Sequence, residues 1–400
     1  RSSRNVGILR GMRVALVSEY YYPDVGGMPE HVHNLAAELQ RRGHEVAIVT
    51  TAFPDASLVD PPPPPCEVIR LGRACQPLIE NGSVSRAAVG LGLRAKLTAL
   101  FARRRFDIVH VHAPIFPTLS LLAIACAPAA SRTVGTLHTH FTDSRVLRIF
   151  RRPLQRYLDA LDGLITVSER ALRSMRQVGF RLDAERIENG VACSYWQSGT
   201  RLARYDDGTV NLLVQARLEP RNHIKTILAA LSRTAVDGSR ARLFVVGDGP
   251  LRHELERDAK HLEVEFLGAQ GAARRDFAKT ADIYCFSAAI ASHPMALLEG
   301  MAAALPILAH DIEGVRELVT SGVEGFVLPL ADPAAYADAL RRLLASPELR
   351  RKLGAAACRR AAAFDWSTIA ARVEAHYERV LELPRQTSNN FAAPGALEPA

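Results

Sequence analysis

Short, continuously apolar runs recur along this chain, most of them separated by a helical stretch, and they fall into two series. MRVALVS (12–18), EVAIVT (45–50), DIVHVH (107–112), TVGTLH (133–138) and GLITVS (163–168) make the first. VNLLVQ (210–215), RLFVVG (242–247), VEFLG (264–268), DIYCFS (282–287), PILAH (306–310) and GFVLP (325–329) make the second. A strand that is apolar on both faces belongs in a parallel sheet covered by helices on each side. The stretch PEHVHNLAAELQRRG supplies the helical counterpart: Val32, Leu35, Ala36 and Leu39 share one face, and Gly43 ends it. The alternation predicts the α/β class, with two doubly wound parallel-sheet domains facing a central cleft. A length of 400 residues agrees, because it exceeds what one core usually organises.

Periodicity lapses in NGVACSYWQSGTRLARYDDG, which sets the domain junction. The reading is a first domain over 1–190, a linker over 191–209, a second domain over 210–365, a terminal helix over 366–384 and a disordered polar tail over 385–400. PPPPP (61–65) reads as a stiff surface loop. Residues 1–200 carry 25 basic and 17 acidic side chains and residues 201–400 carry 25 of each, so the net charge of +8 lies in the first half. That imbalance suits an anionic partner of the first domain. The arginines are not interleaved with aromatics in a nucleic-acid motif, so nucleic acid is not the partner expected. The 6 cysteines have no metal-ligand spacing, which fits reduced thiols in the cytoplasm. RSSRNVGILRG does not read as a leader, and PTLSLLAIACAPAA is too short to span a bilayer.

In open parallel sheets, ligands bind at the carboxyl ends of the strands. A dinucleotide would call for G-x-G-x-x-G after the first strand and an acid ending the second. Here the first strand leads into SEYYYPDVGGMPEH, the second ends in Thr50-Thr51, and GDGPL lacks the third glycine. Two features suit a phosphate instead. Gly26 and Gly27 precede a helix that Pro29 can begin, and they let the backbone approach a ligand closely. In SAAIASHPMALLEG, Pro294 suits the first helical position, which leaves the N–H groups of Met295, Ala296 and Leu297 unpaired and aimed at the cleft. A diphosphate there gains about 0.3–1 kcal/mol from the helix dipole. Glu299, one turn in, is the lone acid of an apolar run and suits the vicinal hydroxyls of a ribose.

Taken in order, VSEYYYPDVGGMPEHVHNLAAELQRRGHEVAIVT, TLHTHF, ITVSE, IENGV, ARLEPRN, LFVVGDGP, VEFLG, ADIYCFS and LLEGMAAALPILA resemble a family 4 glycosyltransferase of the two-Rossmann, GT-B type. The likeness spans roughly residues 12–383. The GG-x-x-E-H start and basic surface of the first domain are also similar to phosphatidylinositol mannosyltransferases and phosphatidylinositol glycan class A enzymes. The resemblance implies a nucleoside diphosphate sugar as donor, bound without a cofactor or metal. It assigns His138, at the end of a first-domain strand, to the reacting sugar. Arg217 would grip the donor diphosphate; a permanently charged guanidinium can pair with phosphate oxygens and stabilise the leaving group. Glu299 matches the final acid of the family's E-x7-E motif, the ribose ligand.

The chain departs from the family pattern at three positions. Ala291 stands in place of the first acid of E-x7-E, Asn222 replaces a lysine, and Ala192 replaces an aspartate after NGV. Arg221 and Asn222 are still expected at the donor, with Arg221 the candidate source of the missing charge. The resemblance implies transfer of a hexose with retention, and because the usual cleft acid is Ala291, no Asp or Glu presents itself as a covalent nucleophile, so a front-side route is expected. VLRIFRRPLQRYL (146–158) mixes apolar residues with Arg148, Arg151, Arg152 and Arg156. It reads either as a helix lying on an anionic membrane or as one packed on its own sheet. The expectation is a cytoplasmic enzyme, peripheral on the inner face of the membrane, with a lipid-linked acceptor such as a phosphatidylinositol. Two alternatives stay open: a nucleotide-sugar-binding protein without transfer activity, and a soluble transferase acting on a small molecule or polysaccharide.

Overall fold

The computed structural model describes residues 11–24, 26–52, 62–80, 83–138, 144–235 and 240–384. Its first sheet is formed by β1 (Arg13–Val17), β2 (Glu45–Ala52), β3 (Glu67–Glu80), β4 (Ser83–Val89), β5 (Ile108–His112), β6 (Arg132–Leu137), β7 (Gly163–Thr166) and β8 (Glu185–Arg186). The second is formed by β9 (Val210–Gln215), β10 (Ala241–Val246), β11 (Val264–Gly268), β12 (Ile283–Phe286), β13 (Ile307–His310) and β14 (Gly325–Leu328). The orders are β4-β3-β2-β1-β5-β6-β7-β8 and β11-β10-β9-β12-β13-β14. Every pairing is parallel except β3 with β4. In each sheet the order reverses beside the first strand, β1 or β9, the position at which doubly wound folds open a crevice.

The apolar runs are continuous because both sheet faces are covered. In β1, Ala15 and Val17 join one core with Leu97, Phe101 and Leu119. Val14 and Leu16 point the other way, into a core with Val32, Leu35 and Leu39 of the helix Gly27–Arg41. The second sheet repeats the arrangement, with Leu213 and Phe244 on one face and Leu212 and Leu243 on the other. This is the period-2 alternation of a strand applied to two buried faces.

Three features were not drawn from the sequence. The hairpin β3–β4 extends the edge of the first sheet, and β8 closes its other edge. Residues 191–209, read as a linker, hold a short helix (Cys193–Gln197) and a 3-10 turn (Ala203–Tyr205); Trp196 and Tyr205 are buried in the second domain's core. The terminal helix Trp366–Glu382 returns to the first domain, where Trp366, Ile369, Val373 and Tyr377 pack among Val14, Leu16 and Ile108. The segment 146–158 is split at Phe150 into the helices Arg145–Ile149 and Arg151–Asp159. Among the described residues no helix is long and apolar enough to cross a membrane. The tail 385–400 and Pro61 of the proline run lie outside the described residues.

Candidate active site

Each domain offers the start of a helix to the cleft, and the two starts face each other. Gly26 caps the helix Gly27–Arg41 in an extended conformation, with no side chain bonded to the exposed N–H groups. A Cβ built on Gly26 would meet nothing nearer than Pro29 Cδ at 3.9 Å, and one on Gly27 nothing nearer than Met295 Sδ at 3.9 Å. Packing therefore does not demand these glycines; they leave open space beside bare backbone. Opposite, Pro294 is the cap of the helix Met295–Ala302 rather than its first residue, and no side chain caps the N–H groups of its first turn. Such a terminus attracts an anion.

The loop after β9 carries the predicted phosphate grip. Arg217 Nε lies 3.5 Å from Glu219 Oε1, and Arg221 Nε lies 2.9 Å from Glu219 Oε2. One buried carboxylate thus orients two guanidiniums, and the Arg217 side chain stays 54% exposed. Asn222 does not point at the cleft as a free amide: its Nδ2 donates to the Arg217 carbonyl at 2.6 Å and stiffens the loop. Ala289 N donates to the Arg221 carbonyl at 2.8 Å, which joins this loop to the segment leading to Met295. The glycines of GDGP have a structural use here. A Cβ on Gly249 would lie 2.7 Å from the Leu218 carbonyl oxygen, so the turn after β10 packs directly on the Arg217 loop.

Glu299 is 7% exposed, and burial pushes its carboxyl up to about 7 against the pull of a neighbouring arginine, Arg274. Arg274 Nη1 stands 3.8 Å from Glu299 Oε1. Ala291, where an acid would complete E-x7-E, is half-buried against the second core. The carbonyls of Ala291 and Ser292 rest on Gly314, where a Cβ would come within 2.5 Å of the first. Ala192 caps the helix Cys193–Gln197 and packs against the first domain's core.

His138 leaves the end of β6 half-buried and joins a group of rings. His112 Nδ1 lies 2.9 Å from His138 Nε2, and the His31 ring meets the His138 ring edge-on at 4.6 Å. His31 Nδ1 donates to Asn189 Oδ1 at 3.0 Å, which leaves its Nε2 as an acceptor turned to the cluster. Asn189 Nδ2 in turn donates to the His293 carbonyl at 2.7 Å, a link from the first domain to the segment before Met295. Burial holds His112 and His138 well below the ordinary imidazole value and His31 down to about 4, so the rings are neutral near pH 7. His31, His112 and His138 present ring nitrogens within 4.8 Å of one another, the one such group among the described residues spaced to hold a metal ion. His138 thus joins the helix Gly27–Arg41 through His31 on the first-domain wall, while Arg217, Arg221, Met295, Ala296, Leu297 and Glu299 lie on the second. His31, His112, Asn189 and Arg274 escaped the sequence reading. His31 and Asn189 do sit inside GG-x-x-E-H and IENGV.

Residues 25–195 match the family described as Glycosyltransferase Family 4, and residues 204–360 match Glycosyl transferases group 1. The phosphatidyl-myo-inositol mannosyltransferase of Mycobacterium leprae is 32% identical over 375 residues, covering 92% of this chain and 97% of its own. That of Mycobacterium tuberculosis is 33% identical over 380 residues, covering 92% and 97%. Among solved structures, Anabaena HepE in complex with UDP superposes with a TM-score of 0.72 at 16% identity, over 92% of this chain and all of that one. Sucrose-phosphate synthase from Thermosynechococcus elongatus gives 0.69 at 19% identity, over 92% and 99%. Two parallel-sheet domains of this topology, matched over 92% of the chain by these relatives, make the chain a member of Glycosyltransferase Family 4, a glycosyltransferase of the GT-B fold.

Proposed function

We propose that the protein transfers a hexose, mannose in our reading, from a nucleoside diphosphate sugar to a phosphatidylinositol-type lipid at an anionic membrane surface. The observation that carries the donor half is the joining of the Arg217 loop to the uncapped helix start at Met295, with Glu299 one turn further on. The diphosphate lies on the N–H groups of Met295, Ala296 and Leu297, and Arg217 and Arg221 neutralise it. Glu299 takes the ribose hydroxyls. His138, neutral and oriented by His112, hydrogen-bonds the sugar being transferred.

Charge grows on the leaving diphosphate in the transition state. Donors already aimed at it accelerate the step because they need not reorganise. With Ala291 in place of a cleft acid, the acceptor hydroxyl attacks from the face that the diphosphate leaves. The departing phosphate oxygen accepts the hydroxyl proton, so the anomeric configuration is retained. The reading assigns no cofactor and no catalytic metal.

The acceptor half is supported by the end-to-end likeness to phosphatidyl-myo-inositol mannosyltransferases and by one surface of the first domain. There Val146 (54% exposed), Ile149 (74%) and Phe150 (55%) project beside the exposed Arg145, Arg148 and Arg152. Of that segment's apolar side chains, only Leu147 and Leu158 turn fully inward with the core. Apolar side chains flanked by arginines suit insertion among anionic headgroups, each basic residue adding roughly 1 kcal/mol near the surface. The test is incubation of GDP-mannose with vesicles containing phosphatidylinositol, followed by NMR of the product. A β-linked mannolipid from the α-linked donor refutes the mechanism. Turnover on soluble acceptors with none on the lipid refutes the acceptor.

A further inference from the structure

Arg274 opens a helix of the second domain (Arg274–Thr280), yet its nearest partner lies in the first. Its Nη2 stands 2.6 Å from Glu30 Oε1, in the first turn of the helix Gly27–Arg41, while Nη1 stands 3.8 Å from Glu299 Oε1. The guanidinium lies 5.4 Å from the Trp196 ring, and the side chains of Arg274, Glu30 and Glu299 are 21%, 16% and 9% exposed. Tyr22 also bonds Glu30. Arg274 Nε is buried with no hydrogen-bond partner, so the short polar contact on the guanidinium is that of Nη2 with Glu30. One cation thus spans two carboxylates from opposite walls of the cleft.

A carboxyl buried as deeply as Glu299 favours its protonated form, which loses part of its capacity to accept from a diol; a guanidinium beside it favours the anion. The guanidinium can sit there only if something fixes its other face, and Glu30 arrives from the other domain. We propose that Arg274 is a positioning residue that couples domain closure to donor recognition. Closing the cleft brings Glu30 onto Arg274, and Arg274 then favours the anion of Glu299 and orients it for the nucleoside. The proposal rests on the reading of Glu299 as the ribose ligand. It assigns Arg274 to the nucleoside end of the donor, not to the diphosphate.

Calorimetric titration of the full chain with GDP, and with inorganic pyrophosphate as a ribose-free probe, tests this in wild type, R274Q, R274K, E30Q and E299Q. The expected result is that R274Q weakens GDP by about tenfold or more, R274K recovers part of the loss, and pyrophosphate moves less than about twofold in both. E30Q weakens GDP in the same direction by less and enlarges the radius of gyration measured by X-ray scattering. Equal weakening of both probes in R274Q overturns the proposal, since it would make Arg274 a phosphate ligand or a purely structural residue. So does an E30Q protein with unchanged affinity and size. If E299Q weakens GDP while R274Q does not, the proposal alone fails. If E299Q binds GDP like wild type, the ribose reading fails first. Should R274Q not fold, R274K and E30Q decide by the same criteria.

Discussion

A single buried carboxylate, Glu219, orients both Arg217 and Arg221, so the two arginines form a unit whose members are not interchangeable. Arg217→Ala is expected to lower kcat/KM about 10²–10³-fold, the loss typical of one preorganised donor to a developing oxyanion. Arg217→Lys should recover little, because an ammonium cannot grip two phosphate oxygens in a plane; steady-state kinetics with GDP-mannose checks both. Glu299 gives a pH signature. Burial raises its carboxyl from 4.5 to about 7 in the folded protein. Between those values the folded state keeps a proton that the unfolded state has lost, so Glu299 subtracts from stability as pH rises through that window and adds no further slope above it. Glu299→Gln removes this contribution. The Tm difference, variant minus wild type, should therefore grow from pH 5 to pH 8 in thermal melts, and a constant difference contradicts the assignment. Glu299 and Arg217 could be singled out as candidates because each belongs to a local motif. Arg274 was not: its partner Glu30 is 244 residues away, and only the closed fold brings them together.

Among elements, the helix Met295–Ala302 shows how the fold aims its site. Gly300 lies flat on Tyr284 of β12, where a Cβ would come within 2.4 Å of the ring. Gly300→Ala should displace the helix and cost about 1–3 kcal/mol of stability, read from urea melts. Gly27→Ala meets no such obstacle, so its Tm should stay near wild type while nucleotide affinity falls. The exposed helical segment around Phe150 makes the opposite kind of prediction. Replacing Val146, Ile149 and Phe150 together by serine should leave stability nearly unchanged and markedly reduce flotation with anionic liposomes; undiminished flotation would remove this surface from the membrane. Most strands could be read from sequence because a two-faced parallel sheet writes its burial as an unbroken apolar run. β3 could not, since EVIRLGRACQPLIE breaks any run with glycine, proline and arginines, and β8 is 2 residues long. One amphipathic helix was expected over 146–158; Phe150 divides it instead, and Val146, Ile149 and Phe150 lie exposed at the division.

At the scale of the molecule, the terminal helix is a piece of the first domain supplied by the end of the chain. Without it, the core around Val14, Leu16 and Ile108 would lie open to water. A chain ending at residue 365 is therefore expected to aggregate, whereas one ending at residue 384 should elute as a soluble, folded species on size-exclusion chromatography. Sequence periodicity marked this helix but not where it docks, because an apolar stripe does not name its partner. The return also means that the polypeptide passes between the domains twice, and the two passages lie side by side. Val191 N donates to the Phe364 carbonyl at 2.9 Å, and Trp366 N donates to the Val191 carbonyl at 3.2 Å. Two chain segments stitched together in this way act as the spine of a book. In the closure we propose, the lobes swing about that line, and each closing stroke returns Glu30 to the same arginine.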